Sequence, residues 1–128
     1  MPFDRISHPA GRNPAYATAL NQGVHRALVE AFGISSDDLF QVVTEHIVGS
    51  GIIGPSVFLG IVHSPEMVFI QITITERRTI DEKKALYRII ADNLHADPGI
   101  PAADVITNLV ETKRDNWSFG NGEAQFAP

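Results

Sequence analysis

Laid on itself at an offset of 66 residues, the chain aligns Arg12 with Arg78, Leu20 with Leu86, Val24 with Ile90 and Leu28 with Leu94. The match continues past the apolar stripe. Gly33-Ile34 through Asp38-Leu39-Phe40 falls on Gly99-Ile100 through Asp104-Val105-Ile106, so the glycine that ends one segment and the aspartate that opens the next recur together. A repeat of this length that carries helix, loop and strand start is one supersecondary unit copied once. The 128 residues suit one domain built from both copies, and are too few for two.

Each copy has legible boundaries. Asn13-Pro14 pairs a cap residue with a proline at the first helical position, and Tyr16, Leu20, Val24, Ala27, Leu28 and Ala31 follow at helical spacing up to Gly33. Thr79-Ile-Asp-Glu82 has capping-box spacing, and Leu86, Ile90 and Leu94 follow before Asp97-Pro98-Gly99 stops the helix. Runs rich in β-branched and aromatic residues predict strands over 40–48, 57–62, 67–75 and 105–110, with a shorter one over 3–6. Strand, helix, strand, twice over, predicts an α+β domain of two β-α-β units, with one mixed sheet and both helices on one face. The other, apolar face then needs a cover, which predicts self-association.

Composition removes several function classes. Ten basic and fifteen acidic side chains leave a net charge of -5, against the phosphate attraction that nucleic-acid binding requires. No apolar run reaches the roughly 20 residues of a membrane span. The absence of cysteine removes disulfides, thiol nucleophiles and thiolate metal sites, and the five histidines show no i, i+4 pair, so neither metal nor cofactor is expected. Gly49-Ser-Gly51-Ile-Ile-Gly54 is a literal dinucleotide fingerprint in the wrong setting, because Pro55 and a β-rich run follow where a helix must open. The start of the chain lacks the basic-then-apolar order of a secretory signal, and the expected location is the cytoplasm.

What remains chemically distinctive is Pro2. Methionine before a small residue such as proline is commonly removed, and the chain would then begin with a secondary amine, a base that exists nowhere inside a polypeptide. The reference pKa of an α-amino group, roughly 7.7 to 8.0, falls when an apolar pocket or a nearby arginine disfavours the charged form. A neutral amine at neutral pH abstracts a proton next to a carbonyl.

Pro2 opening a strand, Arg12, Ala31-Phe-Gly33, Asp38 with Phe40-Gln-Val-Val43, the turn Thr75-Glu-Arg-Arg78-Thr and the tail Asp115-Asn-Trp-Ser-Phe-Gly-Asn-Gly122 to Gln125-Phe126 together resemble the tautomerase superfamily, its malonate semialdehyde decarboxylase-like branch in particular. The resemblance spans nearly the whole chain. It implies two β-α-β units in a trimer that covers the open sheet face. It also implies catalytic roles for Pro2, Asp38 and Arg78: proton transfer, substrate orientation or water activation, and carboxylate binding. Arg77 and Arg12 would assist with the carboxylate, and Trp117, Phe119 and Phe126 would form an apolar wall. The turn departs from the decarboxylase pattern, which has arginines on both sides of a proline. Here Glu76 takes the first arginine's place and Arg77 the proline's. The expectation is therefore a keto-enol tautomerase of small 2-keto acids. Decarboxylation or hydration of a three-carbon acid through Asp38, and a trimeric binding protein without catalysis, are the alternatives.

Overall fold

The computed structural model describes residues 1–128. Its elements are β1 (Phe3–Pro9), α1 (Pro14–Phe32), β2 (Gln41–His46), β3 (Val57–Phe58), β4 (Ile61–Val62), β5 (Val68–Thr75), α2 (Ile80–Ala96) and β6 (Val105–Thr112). The main sheet has the order β2-β1-β5-β6. β1 and β2 are parallel, β5 and β6 are parallel, and the central pair β1/β5 is antiparallel, with Phe3 opposite Thr73 and Ser7 opposite Phe69. Two β-α-β units thus meet head to tail, and equivalent positions of the repeat fall at opposite ends of the sheet.

The helix starts follow the sequence closely. The Asn13 side chain accepts from the Tyr16 N–H, and Gly33 ends α1 in the left-handed region at φ 67, where a side chain would be strained. Thr79 and Glu82 form a reciprocal capping box at α2. Both helices lie on one face, where Leu20, Val24, Leu28, Leu86, Ile90 and Leu94 pack on Ile6, Val68, Ile70, Ile72 and Ile74. Gly23 lets the helices approach closely, since a Cβ there would sit 2.8 Å from Leu94, and its carbonyl accepts from the Asn93 amide.

Two expectations change. The single strand predicted over 57–62 is a hairpin, because Leu59 and Gly60 both take positive φ (51 and 77) and reverse the chain in the manner of a type I′ turn. Leucine is a costly residue for that turn, and it is 84% exposed. The open sheet face, expected to be apolar, is mixed. Val42, Phe69, Ile106 and Val110 alternate there with Arg5, Ser7, Gln71 and Asn108, and the Gln71 amide donates to Asn108 across the strands. Cross-strand polar pairing makes that face tolerable to water. The exposed apolar surface is instead concentrated on Ile47, Val48 and Ile53 and on the hairpin residues Val57, Phe58, Leu59, Ile61 and Val62. Neither helix is long and apolar enough to cross a membrane.

Ile90 is fully buried between the layers, so Ile90→Ala is expected to lower unfolding free energy by about 3 kcal/mol. Thr79→Ala, which removes only the cap, should cost about 1 kcal/mol. Urea unfolding of the two variants checks the order.

Candidate active site

One end of the sheet gathers the residues of interest. Pro2 is buried at the start of β1. β2 enters beside it, with the Asp4 N–H donating to the Phe40 carbonyl at 2.9 Å, and this brings the preceding loop and Asp38 to the amino terminus. The Met1 amine lies 3.2 Å from Asp38 Oδ2. Because β5 is antiparallel to β1, its last residues and the following turn with Arg77 and Arg78 arrive at this same end. The register Thr75 opposite Thr112 adds the end of β6 and the tail.

The tail forms the wall. Trp117 Nε1 donates to Thr112 Oγ1 at 2.8 Å, which ties the indole to the sheet. Phe119 then stacks on Trp117 (centroids 5.3 Å, planes at 5°), meets Phe126 edge-on at 5.6 Å and contacts Phe40 at 5.6 Å. Gln125 locks the loop by accepting from the Phe119 N–H and donating to the Gly120 carbonyl. Met1, Asp38, Phe40, Phe119, Gln125 and Phe126 line an open, mostly apolar cavity of about 310 Å³. A second hollow, lined by residues between Val48 and Met67, lies at the other end of the sheet, beside none of these groups.

Arg78 stacks over the Phe32 ring at 4.9 Å and forms no ion pair in the protomer, while its buried Nε has no hydrogen-bond partner. A guanidinium held on an aromatic face with its donors uncommitted suits a small carboxylate. Arg77 and Glu76 are both exposed and do not pair with each other. Arg77 has φ 154, a conformation that proline, fixed near -65°, cannot take. The turn thus differs in backbone as well as in side chain from one with proline at that place.

Arg12 does not join this group within the protomer. It lies beyond the far end of β1, exposed, over the Tyr16 ring at 5.8 Å and donating to the Ala10 carbonyl. The repeat explains the separation, since Arg12 and Arg78 are equivalent positions of units that run in opposite directions. Asp104, the counterpart of Asp38, is likewise at the far end, buried and accepting from the Ser64 N–H and hydroxyl at 2.8 and 2.6 Å.

Sequence reading gave no site role to Asp4, Phe40 or Gln41. Asp4 is 1% exposed, with Oδ2 accepting from the Gln41 amide at 2.9 Å and Oδ1 without a partner. Burial pushes its pKa up to about 6, against the pull of Gln41 and of His25. The signal was available, for strand alternation puts Asp4 in phase with buried Ile6. Of the five buried side-chain atoms that lack partners, four belong to Asp4, His25, Thr75 and Arg78, all at or beneath this end. Buried polar groups are ordinarily paired, and such a concentration makes this end the candidate site.

The chain is similar to proteins of known kind. The family model described as "Tautomerase enzyme" matches residues 38–120. The probable tautomerase YusQ of Bacillus subtilis (strain 168) is 34% identical over 125 residues, 98% of each chain. Among solved structures, FG41 malonate semialdehyde decarboxylase inhibited by 3-bromopropiolate is 34% identical with a TM-score of 0.90, covering 97% of this chain and 93% of that one. A fused 4-OT symmetric trimer shares the fold at 21% identity and TM-score 0.78, covering 97% of both chains.

With Met1 in place, the folded chain holds the Asp4 proton up to about pH 6, whereas an ordinary aspartate releases it at 3.8. The folded state binds more protons across that window, so this contribution to stability is complete below about pH 4 and is lost as pH rises past 6. The expected fall is about 3 kcal/mol, and Asp4→Asn should flatten it. Urea unfolding of both chains between pH 4 and 8 measures the slope.

Proposed function

The chain belongs to the tautomerase superfamily, and on that footing we propose that it is a cytoplasmic, cofactor-independent keto-enol tautomerase of small 2-keto acids, with Pro2 as its proton carrier once Met1 is removed. The observation that carries the reading is the meeting of the amino terminus, Asp38 and the aromatic wall in one cavity at the sheet end that also receives uncommitted Arg78. Arg78 would hold the substrate carboxylate, with Arg77 near enough in the turn to assist. The amine of Pro2 takes a proton from the carbon beside the carbonyl, and the electron pair moves onto the carbonyl oxygen as an enolate, which is then protonated. In the reverse sense the ammonium returns the proton to carbon. Trp117, Phe119 and Phe126 restrict water around the amine and so strengthen each charge interaction within the cavity.

A second reading has its own support. Asp38 Oδ2 lies 3.2 Å from the Met1 amine and so stands at the amino terminus, where it could activate water, and the likeness to malonate semialdehyde decarboxylase is strong at 34% identity. In that case the chain decarboxylates or hydrates a three-carbon acid. Pro2→Ala in processed protein is expected to reduce ketonisation of enolpyruvate-type substrates at least 100-fold with the fold intact; an unchanged rate overturns the assignment. Carbon dioxide release from malonate semialdehyde that is abolished by Asp38→Asn would instead establish the second reading. Intact mass shows whether Met1 is absent, since a retained Met1 leaves Pro2 as a non-basic amide and favours the non-catalytic binding protein.

The working form is proposed to be a homotrimer. The strained, exposed Leu59 turn and its apolar neighbours support this reading, because a protomer in isolation gains nothing from them. Sedimentation equilibrium should give about three times 14.0 kDa, and Leu59→Asp should shift the population toward monomer.

A further inference from the structure

Asp4 is a buried carboxyl that the fold does not require. Its counterpart in the second repeat is Ile70, on the same helix-facing phase of the equivalent strand and 1% exposed. The architecture therefore calls for a hydrophobe here, and the first unit carries a charge in its place. Asp104, the other buried aspartate, has both oxygens bonded to Ser64, whereas Asp4 keeps Oδ1 bare. A buried carboxyl with an unmatched oxygen is costly unless a cation stands near.

The groups that face Asp4 are few. β2 supplies Gln41, whose amide bridges Asp4 and the Asn21 carbonyl of α1. The loop before β2 supplies Asp38, α1 supplies His25, β5 offers Ile72 in register, and the amino terminus completes the set. His25 engages the Ser36 carbonyl through Nε2, and its buried Nδ1 has no hydrogen-bond partner. The amino terminus is on Met1 and is drawn to Asp38. Removing Met1 moves the amine one residue along the chain, about 3.8 Å, to Pro2, which alternation places on the same side of the strand as Asp4.

We propose that Asp4 is a positioning residue for the processed amino terminus, an inner carboxylate that with Asp38 brackets the Pro2 amine and holds it as an ammonium. Asp4 touches no substrate, being sealed beneath the cavity. It acts through the amine, fixing its direction by hydrogen bonding and raising its proton affinity. This specifies how Pro2 enters the ketonising direction of the proposed reaction, with the proton already on the nitrogen and ready for delivery to carbon. It rests on the reading of Pro2 as the terminal residue of the working protein.

The test is an NMR titration of chain freed of Met1 by methionine aminopeptidase, with ¹⁵N-proline and ¹³C-aspartate labels, beside the chain retaining Met1. Loss of Met1 is expected to lower the Asp4 midpoint by about one pH unit, as the amine moves closer, and Asp4→Asn to lower the Pro2 amine midpoint. A Pro2 amine midpoint unmoved by Asp4→Asn overturns the proposal. An Asp4 midpoint unmoved by removal of Met1 overturns it as well, and this comparison needs no variant should Asp4→Asn fail to fold. If both shifts appear while Pro2→Ala leaves turnover unchanged, the catalytic reading fails and the coupling stands.

Discussion

The antiparallel pairing of β1 with β5 is the constraint on which the rest of the molecule depends. It joins two parallel β-α-β units through their first strands, so the core is one layer of β-branched residues under two helices. It also decides which repeated residues can meet. Arg12 and Arg78 look interchangeable in the chain, but the pairing sends them to opposite ends of the sheet. The same inversion separates Asp38, beside the amino terminus, from Asp104, sealed against Ser64.

Within that frame the two ends have diverged through polar satisfaction. At the far end Asp104 is fully bonded, and the Tyr16 hydroxyl alone is buried without a partner. At the near end Asp4, His25, Thr75 and Arg78 each keep a buried atom without a partner. Folding stability alone favours pairing or replacing such groups. They lie at the same end of the sheet as the aromatic-lined cavity, which makes that end the candidate site. Burial drives the Asp4 carboxyl toward neutrality, while a cation beside it would draw it back.

The hairpin is a separate commitment. Leu59 in a left-handed turn, flanked by exposed Val57, Phe58, Ile61 and Val62, is poorly suited to water. The open sheet face, with its interleaved Arg5, Gln71 and Asn108, is far better suited. The exposed apolar surface of the protomer thus lies more on the loop and hairpin than on the sheet.

Local physical chemistry is written directly in the chain. Caps at Asn13 and Thr79, the stop at Gly33, the helical stripes and the 66-residue repeat depend on neighbours within a turn or two, and the structure places them where the sequence does. Pro2 was legible as a candidate by residue type and position, and Asp38, Arg78 and the Trp117–Phe126 tail were legible through the resemblance to a known family. Their assembly was not, because it depends on the direction and register of strands far apart in sequence. Only the tertiary structure excluded Arg12 from the near end and split 57–62 at Leu59-Gly60. It also showed Asp4 as a buried carboxyl, for strand alternation gives the phase of a side chain and the packed layers decide its burial.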